Sequence, residues 1–324
     1  PTAVPPTAAP TFAPVTLKIG QVGSISDGAI FIADAKGFFK EQGITLDSTT
    51  FQSAALMIAP LGTNELQVGG GAVSAGLLNA YARGINLAIV ADKATLSPGN
   101  GYEAVIVRKD LVDKIKSAKD MKGLNIAIAL RDITPEVSLN TYLKTGGLTI
   151  NDVNVVTLAF PDMIAAMQNK AIDVAVPTEP TVSRMVSAGV GTVLIRSDAF
   201  APNEQTAVIL FSEKFAAQKD VATRFMVAYL KGTRLYNDAF TKKDPKARAE
   251  VVDILAKATK LETALFDTMY FPGLDPNGKV NVASLEEVQQ YFIAKGSQQK
   301  AVDLNKVVDM SFADAAVKIL GPYK

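Results

Sequence analysis

After Pro14 the chain follows a recurring rhythm, a short apolar strand, a helical segment and another strand, and one such unit returns about a hundred residues further on. Met57-Ile58, Leu61 and Leu66-Gln67-Val68 line up with Met163-Ile164, Met167 and Ile172-Asp173-Val174, each set behind an aromatic, Phe51 or Phe160. Strands that alternate with helices build parallel sheets with helices on their faces, and they argue against a sandwich of hairpins. The fold class is therefore α/β, in two related lobes. Two breaker-rich stretches, Ser97-Pro98-Gly99-Asn100-Gly101 and residues 202–208, bracket the second unit. They set lobe one at 15–101 plus 206–324 and lobe two at 102–205.

Within lobe one, residues 15–20 read as a strand and the Ser/Gly loop 24–28 opens a helix over 29–42. Gly43 is its left-handed stop, and a strand follows over 44–51. Gln52-Ser53 starts a second helix closed by Gly62. Leu66-Gln67-Val68 is a short strand ending in Gly69-Gly70-Gly71, and a third helix runs to Ala82. In lobe two, residues 102–109 alternate as a strand, and Thr134 is expected to cap a helix with Pro135 at its first position. Residues 221–240 and 247–257 carry helical apolar periodicity and are expected to pack back on lobe one.

Composition narrows the chemistry. Lys and Arg total 33 against 32 Asp and Glu, a net charge of +1, so nothing draws the chain to nucleic acid and no such partner is expected. Cys and His are both absent. That removes the usual ligands of transition metals and most nucleophile–base pairs, so no metal or cofactor is expected. Apolar residues make up 48% but fall in short runs, none approaching the roughly 18–20 residues of a spanning helix. Residues 1–14, rich in Pro, Thr and Ala, have no periodic apolar face and read as a semi-rigid tether.

Two segments carry a family resemblance. Ala33-Asp34-Ala35-Lys36-Gly37-Phe38-Phe39-Lys40-Glu41-Gln42-Gly43-Ile44, and Lys119-Asp120-Met121-Lys122-Gly123-Leu124-Asn125-Ile126-Ala127-Ile128, resemble the matching segments of solute-binding proteins of ABC importers. The branch is the one that takes sulfonates, nitrate and thiamine precursors, and the likeness spans Leu17 to Phe215. It implies a two-lobed periplasmic-binding-protein fold of type II, each lobe a mainly parallel sheet flanked by helices, with the ligand cleft between. It also implies a small-molecule solute and a membrane permease as partners, a monomer, an extracytoplasmic location and no enzymatic activity. Some exported proteins of this kind are anchored by a lipidated Cys upstream of a linker, so the tether is expected to lead to such an anchor. An enzyme of the related pyrimidine-synthesising branch is the reading from another class. The His and Cys-rich motifs of that chemistry are absent.

Open α/β sheets bind ligands beyond the carboxyl ends of their strands, where helix starts offer unpaired N–H groups. This selects Ser26 and Asp27 in the first loop, Gln52 at the second helix start, and Arg131 and Thr134 in lobe two. Gly69-Gly70-Gly71-Ala72-Val73-Ser74 lacks the spacing and the lysine of a nucleotide loop. In the resembled family this strand end lets backbone approach the solute, which selects Gly70 and Gly71, although Gln67 stands where the family often has Asp. The resemblance also sets Glu179 at a helix start under the cleft. With no Trp, stacking must come from Phe or Tyr at element boundaries, and Phe31, Tyr102, Phe160 and Tyr270 are the candidates. Arg131 is the one Arg in the proposed cleft loops. The expected solute is therefore an aromatic heterocycle, a flavin or a thiamine-pyrimidine precursor, with a sulfonate, taurine or nitrate anion as the alternative.

Overall fold

The computed structural model describes residues 12–324, so the expected tether lies, up to residue 11, outside the described residues. Ten strands are formed: β1 (Val15–Gln21), β2 (Ile44–Thr50), β3 (Val68–Ala72), β4 (Ala88–Thr95), β5 (Ala104–Arg108), β6 (Asn125–Ile128), β7 (Asn154–Thr157), β8 (Val174–Ala175), β9 (Gly191–Arg196) and β10 (Gln205–Phe211). They make two five-stranded sheets, β2-β1-β3-β10-β4 and β7-β6-β8-β5-β9. In the first, β1 pairs in parallel with β2 and β3, while β10 runs antiparallel to both β3 and β4. Four strands thus share one direction and β10 opposes them. The second sheet repeats the plan with β5 as the opposing strand. The two segments aligned in the sequence lead into β3 and β8, which hold the same central place in their sheets.

Each opposing strand follows a crossing between the sheets. Residues 96–103 lead from β4 into β5, and residues 197–204 lead from β9 back into β10. The crossings run side by side: the Leu96 N–H donates to Glu204 O at 3.0 Å, Asn203 N–H to Leu96 O at 2.8 Å and Ser197 N–H to Glu103 O at 3.0 Å.

Side-chain alternation explains why the central strands are apolar throughout. In β10, Ala207, Ile209 and Phe211 enter one core with Phe225, Val251 and Phe312 of the helices Lys219–Phe240, Pro245–Thr259 and Ser311–Leu320. Val208 and Leu210 face the other way, into a core with Leu285, Val288 and Phe292 of the helix Val282–Lys295. β5 divides likewise, Val105 and Val107 from Ala104 and Ile106. Strands buried on both faces read as continuous apolar runs, and each large side chain so buried contributes about 1.5–3 kcal/mol.

The structure corrects several local expectations. The helix expected over 29–42 is broken at Gly37, which is left-handed at φ 71°, into Gly28–Ala35 and Phe38–Glu41. Gly43 is left-handed at φ 68°, as expected of a helix stop. The segment after Gln52-Ser53 begins as a 3-10 turn, Ala54–Met57, before the helix Ile58–Gly62. Gly69, Gly70 and Gly71 lie inside β3 and pair with Leu210, Ile209 and Val208. A Cβ on these glycines would stand 2.9 Å from Leu61 Cδ1, 2.8 Å from Lys93 Cδ and 2.8 Å from Ala54 Cβ, so the run lets side chains of lobe one pack across the strand. Ile133, not Thr134, is the cap of the helix Thr134–Thr145.

Candidate functional site

The carboxyl ends of both sheets converge on one small cavity of about 60 Å³. Lobe one supplies Val22, Ser24 and Ser26 beyond β1, Gln52, Ser53 and Ala54 beyond β2, and Gly71 and Ala72 of β3. Lobe two supplies Ala129, Ile133 and Pro135 beyond β6, Phe160 beyond β7 and Thr178 beyond β8. Tyr102 from the first crossing and Thr206 and Ala207 of β10 complete the lining. None of these residues is charged. Two larger grooves, of about 770 and 670 Å³, run along helix flanks and crossing segments, the second also taking in Thr95 at the end of β4 and Gln205 at the start of β10.

The lobes are joined at one rim of the cavity. The chain after β3 meets the chain after β6: Ala75 N–H donates to Asp132 O at 2.9 Å and Thr134 N–H to Val73 O at 3.0 Å. Beside them Lys295, from the helix Val282–Lys295, ion-pairs with Asp132 at 2.6 Å and with the buried Glu136, which also accepts from Tyr291 Oη at 2.8 Å.

Of the residues expected at the site, Ser26, Gln52, Gly71, Tyr102 and Phe160 line the cavity. The other seven are placed elsewhere, each for a visible reason. Asp27 is buried beneath the floor, where it accepts from Val22 N–H at 3.1 Å and Ser24 N–H at 3.2 Å and pairs with Lys93 at 3.0 Å. Phe31 is half-buried against the larger core of lobe one. Gly70 is covered by the Lys93 stem. Arg131 pairs with Glu136 at 2.9 Å and contributes no side chain to the lining. Thr134 is buried and donates its hydroxyl to Thr206 O at 2.7 Å. Glu179 is buried, accepts from Ser183 N–H at 3.0 Å and lies 3.5 Å from the Arg196 guanidinium; burial pushes its carboxyl above the usual range. Tyr270 is exposed and lies under that same Arg196, 3.6 Å from its ring centre.

Hydrogen-bond bookkeeping sets the polarity of the wall. Thr206 Oγ1 donates to Ala94 O at 2.9 Å, so at its 2.9 Å contact with Tyr102 it accepts and the phenol donates. Burial, and then the neighbouring Glu103, raise the Tyr102 phenol above its ordinary value, which holds it neutral. Ser53 Oγ is buried without a partner. Sequence reasoning missed Thr178 and Thr206 of the lining and, behind it, Lys93, fully buried in β4 and donating to Ser26 Oγ at 2.8 Å. The signal for Lys93 was an Asp92-Lys93 pair in the middle of an otherwise apolar strand.

A model of the NMT1-like family matches residues 12–259. The chain belongs to that family. Among curated relatives, a putative binding protein of Brucella abortus (strain 2308) is 23% identical over 257 residues, 78% of this chain and 75% of that one. The taurine-binding periplasmic protein of Escherichia coli K12 is 31% identical over 153 residues, 47% of this chain and 45% of that one. The riboflavin-binding protein RibY of Chloroflexus aurantiacus is 29% identical over 238 residues, 72% and 65%. Among solved structures, the alkanesulfonate-binding protein SsuA of Xanthomonas axonopodis pv. citri superposes with a TM-score of 0.74 at 17% identity, covering 92% of this chain and 99% of that one. The desulfurization enzyme DSZB does so at 0.64 and 16%, covering 94% and 99%. The chain shares its two-lobed periplasmic-binding-protein fold with these solved structures.

Proposed function

We propose that this NMT1-like protein is the extracytoplasmic solute-binding component of an ABC importer, closing its lobes on a small organic solute and presenting the closed form to a membrane permease. The observation that carries the reading is the cavity at the facing strand ends, which draws its lining from both lobes and from Tyr102 of the first crossing. Contacts made to both lobes are what couple a solute to closure. The lobes divide, on this reading, at the crossings near 101/102 and 205/206. Relatives named for binding, taurine and riboflavin support the solute-binding class.

The fold alone does not separate binding from catalysis, since a desulfurization enzyme shares it. The lining does bear on it. Tyr102 is its one titratable side chain among the described residues, and its proton is committed to Thr206. Among the described residues no carboxylate, lysine or arginine lines the cavity.

For the solute, an uncharged wall with Phe160 and Tyr102 on it favours a neutral, single-ring heterocycle. A flavin fits poorly, because pockets for drug-sized ligands run to about 300–1,000 Å³, against about 60 Å³ in this closed arrangement. A sulfonate-type anion is the second reading, favoured by the hydroxyls of Ser24, Ser26 and Ser53 on one wall. Native mass spectrometry of protein purified without added ligand, followed by calorimetry with uracil, taurine and riboflavin, tests the proposal. Saturable binding of uracil or taurine supports it. A protein that carries no solute and takes none of the three loses the binding-protein reading.

A further inference from the structure

We infer that Lys93 is a positioning residue for the cleft: its ammonium, buried behind Ser24 and Ser26, fixes that hydroxyl pair as a hydrogen-bond donor toward an acceptor oxygen of the solute. This deepens the proposed function and rests on its reading of the strand-end cavity as the solute site. Lys93 sits where β4 is buried on both faces, and its stem crosses Gly70 in the space a Cβ would fill. Its Nζ lies 3.0 Å from Asp27 Oδ1 and donates to Ser26 Oγ at 2.8 Å. Asp27 turns its other oxygen to the Val22 and Ser24 N–H groups, so the carboxylate is spent on the loop of lobe one.

The hydrogens can be counted. An ammonium only donates, so Lys93 occupies a lone pair of Ser26 Oγ. Ser24 Oγ and Ser26 Oγ stand 2.8 Å apart and share one hydrogen between them. Two hydroxyls carry two hydrogens. Whichever way the shared one points, the other has no acceptor among the described residues, and both serines line the cavity. Ser53 Oγ, buried and unpartnered, adds a further unspent donor on the same wall. Burying a hydroxyl unpaired is unfavourable, so the wall is completed by a solute that brings acceptor oxygens to lobe one. The Lys93 charge strengthens the donor, as an ionised partner does in a hydrogen-bonded chain. Sulfonate oxygens and ring carbonyls share this chemistry.

Calorimetric titration of the full chain with taurine, a sulfonate, and uracil, a neutral ring carbonyl, tests the inference. Ser26→Ala is expected to weaken binding about tenfold, the equivalent of about 1.4 kcal/mol. An Asp27→Asn/Lys93→Met variant, which removes both buried charges together, is expected to weaken it by a similar factor. Adding Ser26→Ala to that variant should then change affinity less than about twofold, because the serine no longer has a cation to transmit. A loss seen with taurine alone or with both probes supports the inference and names the head group. A full tenfold loss from Ser26→Ala in both backgrounds makes Lys93 a packing residue and overturns it. Where the charge-free variant does not fold, Ser26→Ala alone decides, and unchanged affinity overturns the inference. If the wild type takes neither probe at millimolar concentration, the solute-site reading falls first and the inference with it.

Discussion

Glu103 and Glu204 sit in the paired crossings, and replacing Glu103 by Gln is expected to stabilise the protein in a pH-dependent way. Glu103 is fully buried; its Oε1 accepts from Ser197 Oγ at 2.9 Å and its Oε2 has no partner. Burial lifts its carboxyl from 4.5 to about 7, the Ser197 hydrogen bond only partly offsetting it. Glu204, held by Ser138 Oγ at 3.1 Å, is raised too, by burial first and by the Glu103 charge second. Below 4.5 both folded and unfolded chains hold the Glu103 proton. Between 4.5 and about 7 the unfolded chain has released it while the folded chain keeps it, so stability falls as pH rises through that window and levels off above it. At 1.36 kcal/mol for each pH unit, the gap amounts to about 3 kcal/mol as an upper bound. Gln carries no proton to lose. Urea-unfolding midpoints of wild type and Glu103→Gln should therefore differ by about 1–3 kcal/mol more in favour of the variant at pH 8 than at pH 5. The cost of burying the amide enters both measurements and cancels. Equal differences at the two pH values, or a larger advantage at pH 5, would refute the reasoning.

Three further outcomes follow from contacts already described. Phe160→Ala should weaken solute binding by about 1–2 kcal/mol by calorimetry, whereas Phe31→Ala should leave affinity unchanged and lower the melting temperature, because only Phe160 lines the cavity. Gly70→Ala would bring a Cβ within 2.8 Å of Lys93 Cδ and 3.2 Å of Ile209 Cδ1; a loss of about 1–3 kcal/mol is expected in chemical denaturation, and an unaltered stability would mean the lysine stem moves freely. Lys295→Met removes the ion pairs from lobe one to Asp132 and Glu136, so small-angle scattering without solute should show a larger radius of gyration than wild type; an identical radius would assign closure to the backbone contacts at Val73 and Ala75.

The sequence by itself determined the class and the plan. Strand–helix alternation, the repeat of 57–68 at 163–174 and the two breaker-rich crossings each reflect a local rule, and β3 and β8 duly occupy equivalent places in two sheets. Part of the candidate lining was legible: the strand-end rule selected Ser26 and Gln52, the family resemblance Gly71, and aromatics at element boundaries Tyr102 and Phe160, and these five line the cavity. The site was not legible where a polar side chain is taken up by another group of the fold, whether near or far in the chain. Arg131 is taken up by Glu136, Glu179 by Ser183 and Arg196, Asp27 by Lys93, and Thr134 by the Thr206 carbonyl. Each of these polar groups looks available in a linear reading, because helix starts and loops do present polar groups to solvent. Folding within each lobe, and for Thr134 and Thr206 the contact between the lobes, brought these partners within hydrogen-bond range, satisfied them with one another and left an uncharged wall of hydroxyls and aromatic faces. Burial and pairing depend on three-dimensional proximity, which residue spacing along one strand or helix does not encode.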